Sequence, residues 1–165
     1  MDGKLRNMTS LYLKSGDRLL LLYRIGSRVV SDHSYTGSAG GHFEKEELND
    51  AKACVLRELY EETGLTEGDI ENLSLRYVTI RLKNNELRQN YYFFADLIDG
   101  EKSLISNEGE LKWFTMDELF DNPPVMPFTA HYVVKHYVEI GKDTAALYAG
   151  AATDCGVVFC EIKDF

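Results

Sequence analysis

Apolar residues fall into two periods along this chain. Met8 to Lys14 alternates as a strand, Ser15-Gly16-Asp17 reads as a turn, and Arg18 to Arg24, with four consecutive leucines at Leu19 to Leu22, has the unbroken apolar run of a strand buried on both faces. From about Asp50 to Thr63 the period lengthens to that of a helix: Val55, Leu56 and Leu59 form one apolar stripe, Asn49 or Asp50 supplies the N-cap, and Gly64 is the C-cap. Leu73 to Lys83 and Leu87 to Ile98 return to strand character and join around Asn84-Asn85, a hairpin signal because asparagine tolerates positive φ. Met116 to Phe120 is a short helix stopped by Pro123-Pro124, and Phe128 to Ile140 is a longer one ending at Gly141. Cys155 to Ile162 is β-rich and apolar on both faces, the pattern of a core strand or, in second place, of a dimer interface. Periodicity alone therefore gives a mixed α/β protein.

The central helix also carries an unusual charge pattern. Glu58, Glu61 and Glu62 lie three and four residues apart, so they share one helical surface. Like charges at that spacing cost roughly 0.2–0.5 kcal/mol per pair, and Arg57 is the local positive charge in the run. A solvated acidic face is the ordinary explanation. A hard divalent cation is the chemical one, because Mg²⁺ takes oxygen ligands and keeps coordination positions free for water and substrate phosphates.

The surrounding residues favour the second explanation. The run Arg57-Glu58-Leu59-Tyr60-Glu61-Glu62-Thr63-Gly64-Leu65, with Gly40-Gly41-His42-Phe43-Glu44 upstream, resembles the signature of the Nudix hydrolases. Five fixed identities and two aliphatic positions would coincide by chance with a probability on the order of 10⁻⁵ in a chain this long. One spacing departs from the family pattern. Gly41 and Glu47 keep their separation, but nine residues instead of seven lie between Glu47 and Arg57, which places a two-residue insertion near Leu48-Asn49 and leaves the position of Glu47 open.

The resemblance implies an α/β/α sandwich around a mixed β-sheet, with residues 1–165 as a single Nudix domain. It implies Mg²⁺-dependent hydrolysis, with Mn²⁺ as a possible substitute, of a nucleoside diphosphate linkage. The overall look of the chain, including the Glu110-Leu111-Lys112-Trp113-Phe114 run, is similar to MutT-like nucleotide diphosphatases of the 8-oxo-dGTP pyrophosphohydrolase type, which release a nucleoside monophosphate and pyrophosphate. By the same resemblance Glu58, Glu61 and Glu62 are the metal-binding glutamates, and a backbone carbonyl near Gly40-Gly41 completes the coordination. Glu44 and Glu47 contribute around it, and Arg57 orients a glutamate. The family often draws a further glutamate from a later loop as ligand or general base; Glu108 is the first choice here and Glu110 the second. A non-catalytic Nudix domain that binds a nucleotide and regulates a partner is the rival, supported by the irregular spacing at Glu47.

Arg24 and Arg81, at the end of the leucine-rich strand and in the strand after the signature, are candidate phosphate or base ligands, with solvated strand-end arginines as the alternative. Trp113 and Phe128 can stack on a base or fill the core. The four histidines, His33, His42, His131 and His136, show no ligand spacing and receive no catalytic role.

Composition narrows the partners. A chain of 165 residues, 44% hydrophobic, supports one core, and a net charge of −9 disfavours nucleic-acid duplexes and anionic membranes while leaving a phosphorylated small molecule open. The three cysteines, Cys54, Cys155 and Cys160, form no metal-spaced pair and leave an odd thiol, the usage of a reduced cytoplasmic protein. The second reading of Cys155 to Ile162 would make the protein a homodimer.

Overall fold

The computed structural model describes residues 3–24, 33–100 and 102–164. Its strands are β1 (Lys4–Ser15), β2 (Arg18–Arg24), β3 (Tyr35–Gly37), β4 (Ile70–Lys83), β5 (Glu86–Leu97), β6 (Gly109–Thr115), β7 (Leu147–Ala152) and β8 (Val157–Ile162), and its helices α1 (Ala51–Thr63), α2 (Met116–Asp121) and α3 (Phe128–Glu139). All eight strands join one sheet in the order β3-β2-β1-β5-β4-β7-β8, with β6 on β2. The sheet is mixed: β1 runs parallel to β5 and β4 parallel to β7, while the remaining pairs are antiparallel.

The alternation of each strand divides its side chains between two cores. Leu19 and Leu21 of β2 join Tyr12, Tyr92 and Phe94 against α2 and α3, whereas Leu20 joins Leu11, Leu13 and Phe93 against Val55 and Leu59 of α1. This is the α/β/α sandwich that the resemblance implies. Trp113 is part of the α1-side core and lies under the Arg18 guanidinium, so its role is packing.

Local signals account for most boundaries. Asp50 caps α1 through its carboxylate on the Ala53 amide at 3.0 Å, and Gly64 closes it at φ 73° with its N–H donated to the Tyr60 carbonyl. Asn84 and Asn85 both take positive φ, 53° and 62°, at the β4–β5 hairpin.

Three expectations need correction. β1 starts at Lys4 rather than Met8, because its parallel register with β5 continues to Lys4 opposite Glu86. β3 and β7 carry no predicted counterpart; each is short, and β7 is held by pairing to β4 and β8 rather than by its own pattern. The last segment, β8, is an edge strand and not a core strand: Val158 is 67% exposed and Ile162 46%, while Phe159 packs on the α3-side core.

Candidate active site

Gly40 and Gly41 set the geometry. The chain after β3 crosses β1 in bridges that hydrogen-bond Leu11 to Ala39 and Thr9 to Gly41, at 2.7 and 2.8 Å. Gly40 has φ 148°, and a Cβ there would collide with the Thr9 carbonyl, so the close approach requires glycine. A Cβ at Gly41 would run into the Glu58 carboxylate. The two glycines thus bring this turn against the glutamate face of α1.

The three glutamates divide into two groups. Arg57 Nη1 donates to Glu58 Oε1 and to Glu61 Oε2, both at 2.9 Å, while its Nε and Nη2 donate to the two oxygens of Glu47 at 2.7 and 2.9 Å. Glu47 sits in a 3₁₀ turn (Lys45–Glu47), and the two inserted residues are taken up between that turn and the Asp50 cap. Glu47 is therefore in register with Arg57. Its hydrogen bond from Arg57 holds its carboxyl down to about 2. Arg57 is in turn pushed up, chiefly by Glu47, so one guanidinium stays charged among three carboxylates.

Glu62 faces elsewhere. Its Oε2 accepts the Gly40 N–H at 3.2 Å, and burial, reinforced by the nearby charges of Glu58 and Glu108, pushes its carboxyl up to about 7 against the lowering effect of that hydrogen bond and of Arg24. Glu58 is also raised, again mainly by burial. Two half-desolvated carboxylates beside a glycine turn form a hard oxygen donor set that calls for a cation. Among the described residues no three acidic, histidine or cysteine side chains converge as a finished metal cage, because Arg57 draws Glu58 and Glu61 toward itself.

The later loop docks on the C-terminal end of α1. Asn107 donates its backbone N–H to the Glu62 carbonyl at 3.2 Å and its side-chain amide to the Glu61 carbonyl at 2.9 Å, satisfying two carbonyls that the helix end leaves open. This brings Glu108 to the site, where its Oε2 accepts from Arg24 Nη2 at 2.9 Å. Glu110, two residues on, lies exposed in β6 opposite Tyr23 and joins none of these contacts.

A cleft of about 300 Å³ opens beside Glu62 on the α3 side of the sheet. Arg24, Gly40, Ser10, Thr79, Asn90 and Arg81 lie along it, with Arg81 stacked 4.6 Å over the Phe128 ring. Arg6, Arg88 and His42 also line it, two arginines that nothing in the sequence singles out and a histidine to which it assigns no role. Arg6 and Arg88 are strand arginines that only the β1–β5 register brings together; His42 was in view but had no partner in sequence, whereas in the fold its Nε2 accepts from Arg6 Nε. Glu44 only caps the 3₁₀ turn, its N–H donating to Glu47.

The NUDIX domain profile matches residues 5–137, most of the chain, so the chain belongs to the Nudix family. Among solved structures it is similar to a MutT protein from Methanosarcina mazei (16% identity over 87% of this chain and 99% of that one, TM-score 0.67) and to a mutator MutT protein from Bacillus halodurans (20% identity over 94% and 97%, TM-score 0.61). A NUDIX hydrolase from Nitrosomonas europaea shares 17% identity over 92% and 81%, with a TM-score of 0.67. Identities this low speak to the fold. Among curated proteins none matches significantly. Among the described residues no helix is long and apolar enough to cross a membrane.

Proposed function

We propose that the protein is a Mg²⁺-dependent hydrolase of a nucleoside diphosphate linkage, with a nucleoside triphosphate cleaved to the monophosphate and pyrophosphate as the simplest case. The observation that supports it is the meeting of Glu62 and Glu58 with the Gly40-Gly41 turn at the mouth of an arginine-lined cleft. Glu58, Glu61 and Glu62, with the Gly40 carbonyl, would hold the cation, whose contribution is to offset charge on the phosphate oxygens. Arg57 is the positioning group, fixing Glu58 and Glu61 through Nη1 while Glu47 anchors it from behind.

In this reading the oxygen of a water molecule forms a bond to phosphorus as the bridging P–O bond breaks, and the water proton passes to Glu108. Arg24 occupies Oε2 of that carboxylate and leaves Oε1 for the water. Arg24 and Arg81 take substrate oxygens from the cleft wall. The 165 residues act as one domain, since β7 and β8, beyond the matched region, are hydrogen-bonded into the same sheet. Free thiols at Cys54, Cys155 and Cys160 suit the cytoplasm.

The non-catalytic rival rested on the spacing around Glu47, and the two-point contact of Glu47 with Arg57 removes that support. A phosphate-release assay with Mg²⁺ over nucleoside triphosphates, dinucleoside polyphosphates and nucleotide sugars tests the proposal. Turnover of at least one, abolished by EDTA, is expected; no turnover of any overturns it.

A further inference from the structure

The outer end of the cleft carries more positive charge than a diphosphate at the glutamate face would use. Arg6 of β1 pairs in register with Arg88 of β5, and Arg88 with Arg81 of β4, so three guanidinium side chains form one row across adjacent strands roughly 4.8 Å apart. All three line the cleft. Like charges directly opposite one another destabilise a sheet, so such a row calls for an anion. Among the described residues one carboxylate answers it: Glu86, at 2.9 Å from Arg88 and 3.9 Å from Arg6. Arg81 has the Phe128 ring instead. Three guanidiniums against one carboxylate leave the row two charges positive within a chain of net charge −9. His42 adds no anion, since it accepts from Arg6 as a neutral imidazole.

Two further features of the same cleft are also unmet. α3 begins at its edge, with Pro127, Thr129 and Ala130 on the wall; its N-cap residue Pro127 offers no capping side chain and its first turn holds no acidic residue, so among the described residues its own first turn does not compensate the positive end that faces the cleft. Tyr12, fully buried on the same wall but six residues from Arg6 along β1 and so toward the glutamate end, has a hydroxyl with no hydrogen-bond partner among the described residues, a group that a ligand oxygen or a water there would satisfy.

A neutral base would use the donors of one guanidinium and leave the charge of the others uncompensated. A phosphate meets both needs, because its oxygens accept from guanidinium forks and its charge offsets theirs. We propose that the Arg6–Arg88–Arg81 row binds a further phosphate group of the substrate, remote from the diphosphate that is cleaved. This deepens the hydrolase reading above and rests on it for the position of the scissile bond. Gly40 lies opposite Ser10 on β1 and Arg6 is four residues away, so at roughly 3.3 Å per residue the two ends of the site are about 13 Å apart. A phosphate on the ribose and the distal phosphates of a long polyphosphate chain are the two sources that share this chemistry.

The test measures binding apart from turnover. In EDTA, calorimetry compares nucleoside 3′,5′-bisphosphates with the matching 5′-monophosphates for all four ribonucleosides, and dinucleoside tetraphosphates with the corresponding diphosphates, using the full chain and its Arg6→Gln and Arg88→Gln variants. The parent should bind the more phosphorylated member of at least one pair about tenfold more tightly or better. Each variant should lose most of that difference while binding the less phosphorylated member within about twofold of the parent and melting no lower. The pair that shows the effect identifies the source. Equal affinities within every pair, or variants that weaken both members alike, overturn the proposal. A phosphate-dependent difference without turnover of any substrate in Mg²⁺ sinks the hydrolase reading and leaves the arginine row standing; turnover with no such difference does the reverse.

Discussion

Arg57 grips Glu47 at two points, Nε to Oε1 at 2.7 Å and Nη2 to Oε2 at 2.9 Å, across a loop two residues longer than the family spacing. A planar fork meeting both oxygens of a carboxylate fixes orientation as well as distance, so Arg57 presents its remaining Nη1 to Glu58 and Glu61 in one pose. The contact ties the turn before α1 to the glutamate face.

Glu47→Gln should therefore lower stability by about 1–3 kcal/mol, the cost of depriving a half-buried charged donor of its best partner. The sign with pH follows from the depressed carboxyl. Its folded value of about 2 lies below its ordinary 4.5, so the stabilisation is fully present above about pH 4.5 and lost as pH falls toward 2. Melting curves of parent and variant should differ by a constant amount above pH 5 and converge below pH 4. A gap that persists unchanged at pH 3 would show that the contact does not depend on this ionisation.

Glu62 carries the opposite shift. A carboxyl raised to about 7 by burial favours the folded state while protonated, and that advantage declines as pH rises from 4.5 through 7. In EDTA, Glu62→Gln should melt higher than the parent at pH 8 and near the parent at pH 5. Unequal melting that is the same at both pH values would exclude desolvation of this carboxylate as the cause.

The signature run and its caps were legible because they are local: one helix period, one αL glycine and one N-cap aspartate fix where Glu58, Glu61 and Glu62 stand on α1, while the turn of Glu62 to the Gly40 amide, away from Arg57, comes from a contact 22 residues off. The row of Arg6, Arg88 and Arg81 was not legible, because it exists only through the parallel β1–β5 pairing and the β4–β5 hairpin, whose register no local pattern announces. β7 and β3 escaped for the same reason. β8 misled because an edge strand with one face against α3 and apolar residues on the other reads, in isolation, like a buried strand.

Metal should be visible in stability as well as in rate. A ligand that binds only the folded state stabilises by RT ln(1 + [L]/Kd), so millimolar Mg²⁺ or Mn²⁺ should raise the melting temperature of the parent and raise that of Glu62→Gln by less. The same substitution, and Glu61→Gln, should lower turnover by about a hundredfold or more in saturating Mg²⁺. Melting points that ignore both ions, together with undiminished turnover, would return this face to a solvated acidic surface.

The sharpest division concerns the loop that Asn107 fastens to α1. Glu108 reaches Arg24 and the neighbourhood of Glu62, whereas Glu110 stands exposed in β6 opposite Tyr23 and shares none of these contacts, so the two acids should behave differently although they are two residues apart. Glu108→Gln should depress kcat by roughly 10²–10⁴-fold with little change in KM, since the phosphate contacts of the ground state remain. Glu110→Gln should stay within about threefold of the parent, as an exposed acid that touches neither water nor substrate would. Asn107→Ala offers an independent check on geometry: it removes the 2.9 Å bond to the Glu61 carbonyl and leaves both carboxylates chemically intact. If Glu108 must be held in place to act, this variant should lower kcat by about tenfold, and KM should move less. Full activity in Glu108→Gln would take the base out of this loop, and Glu58, half-buried beside Gly41 with a raised carboxyl, would be the next group to test.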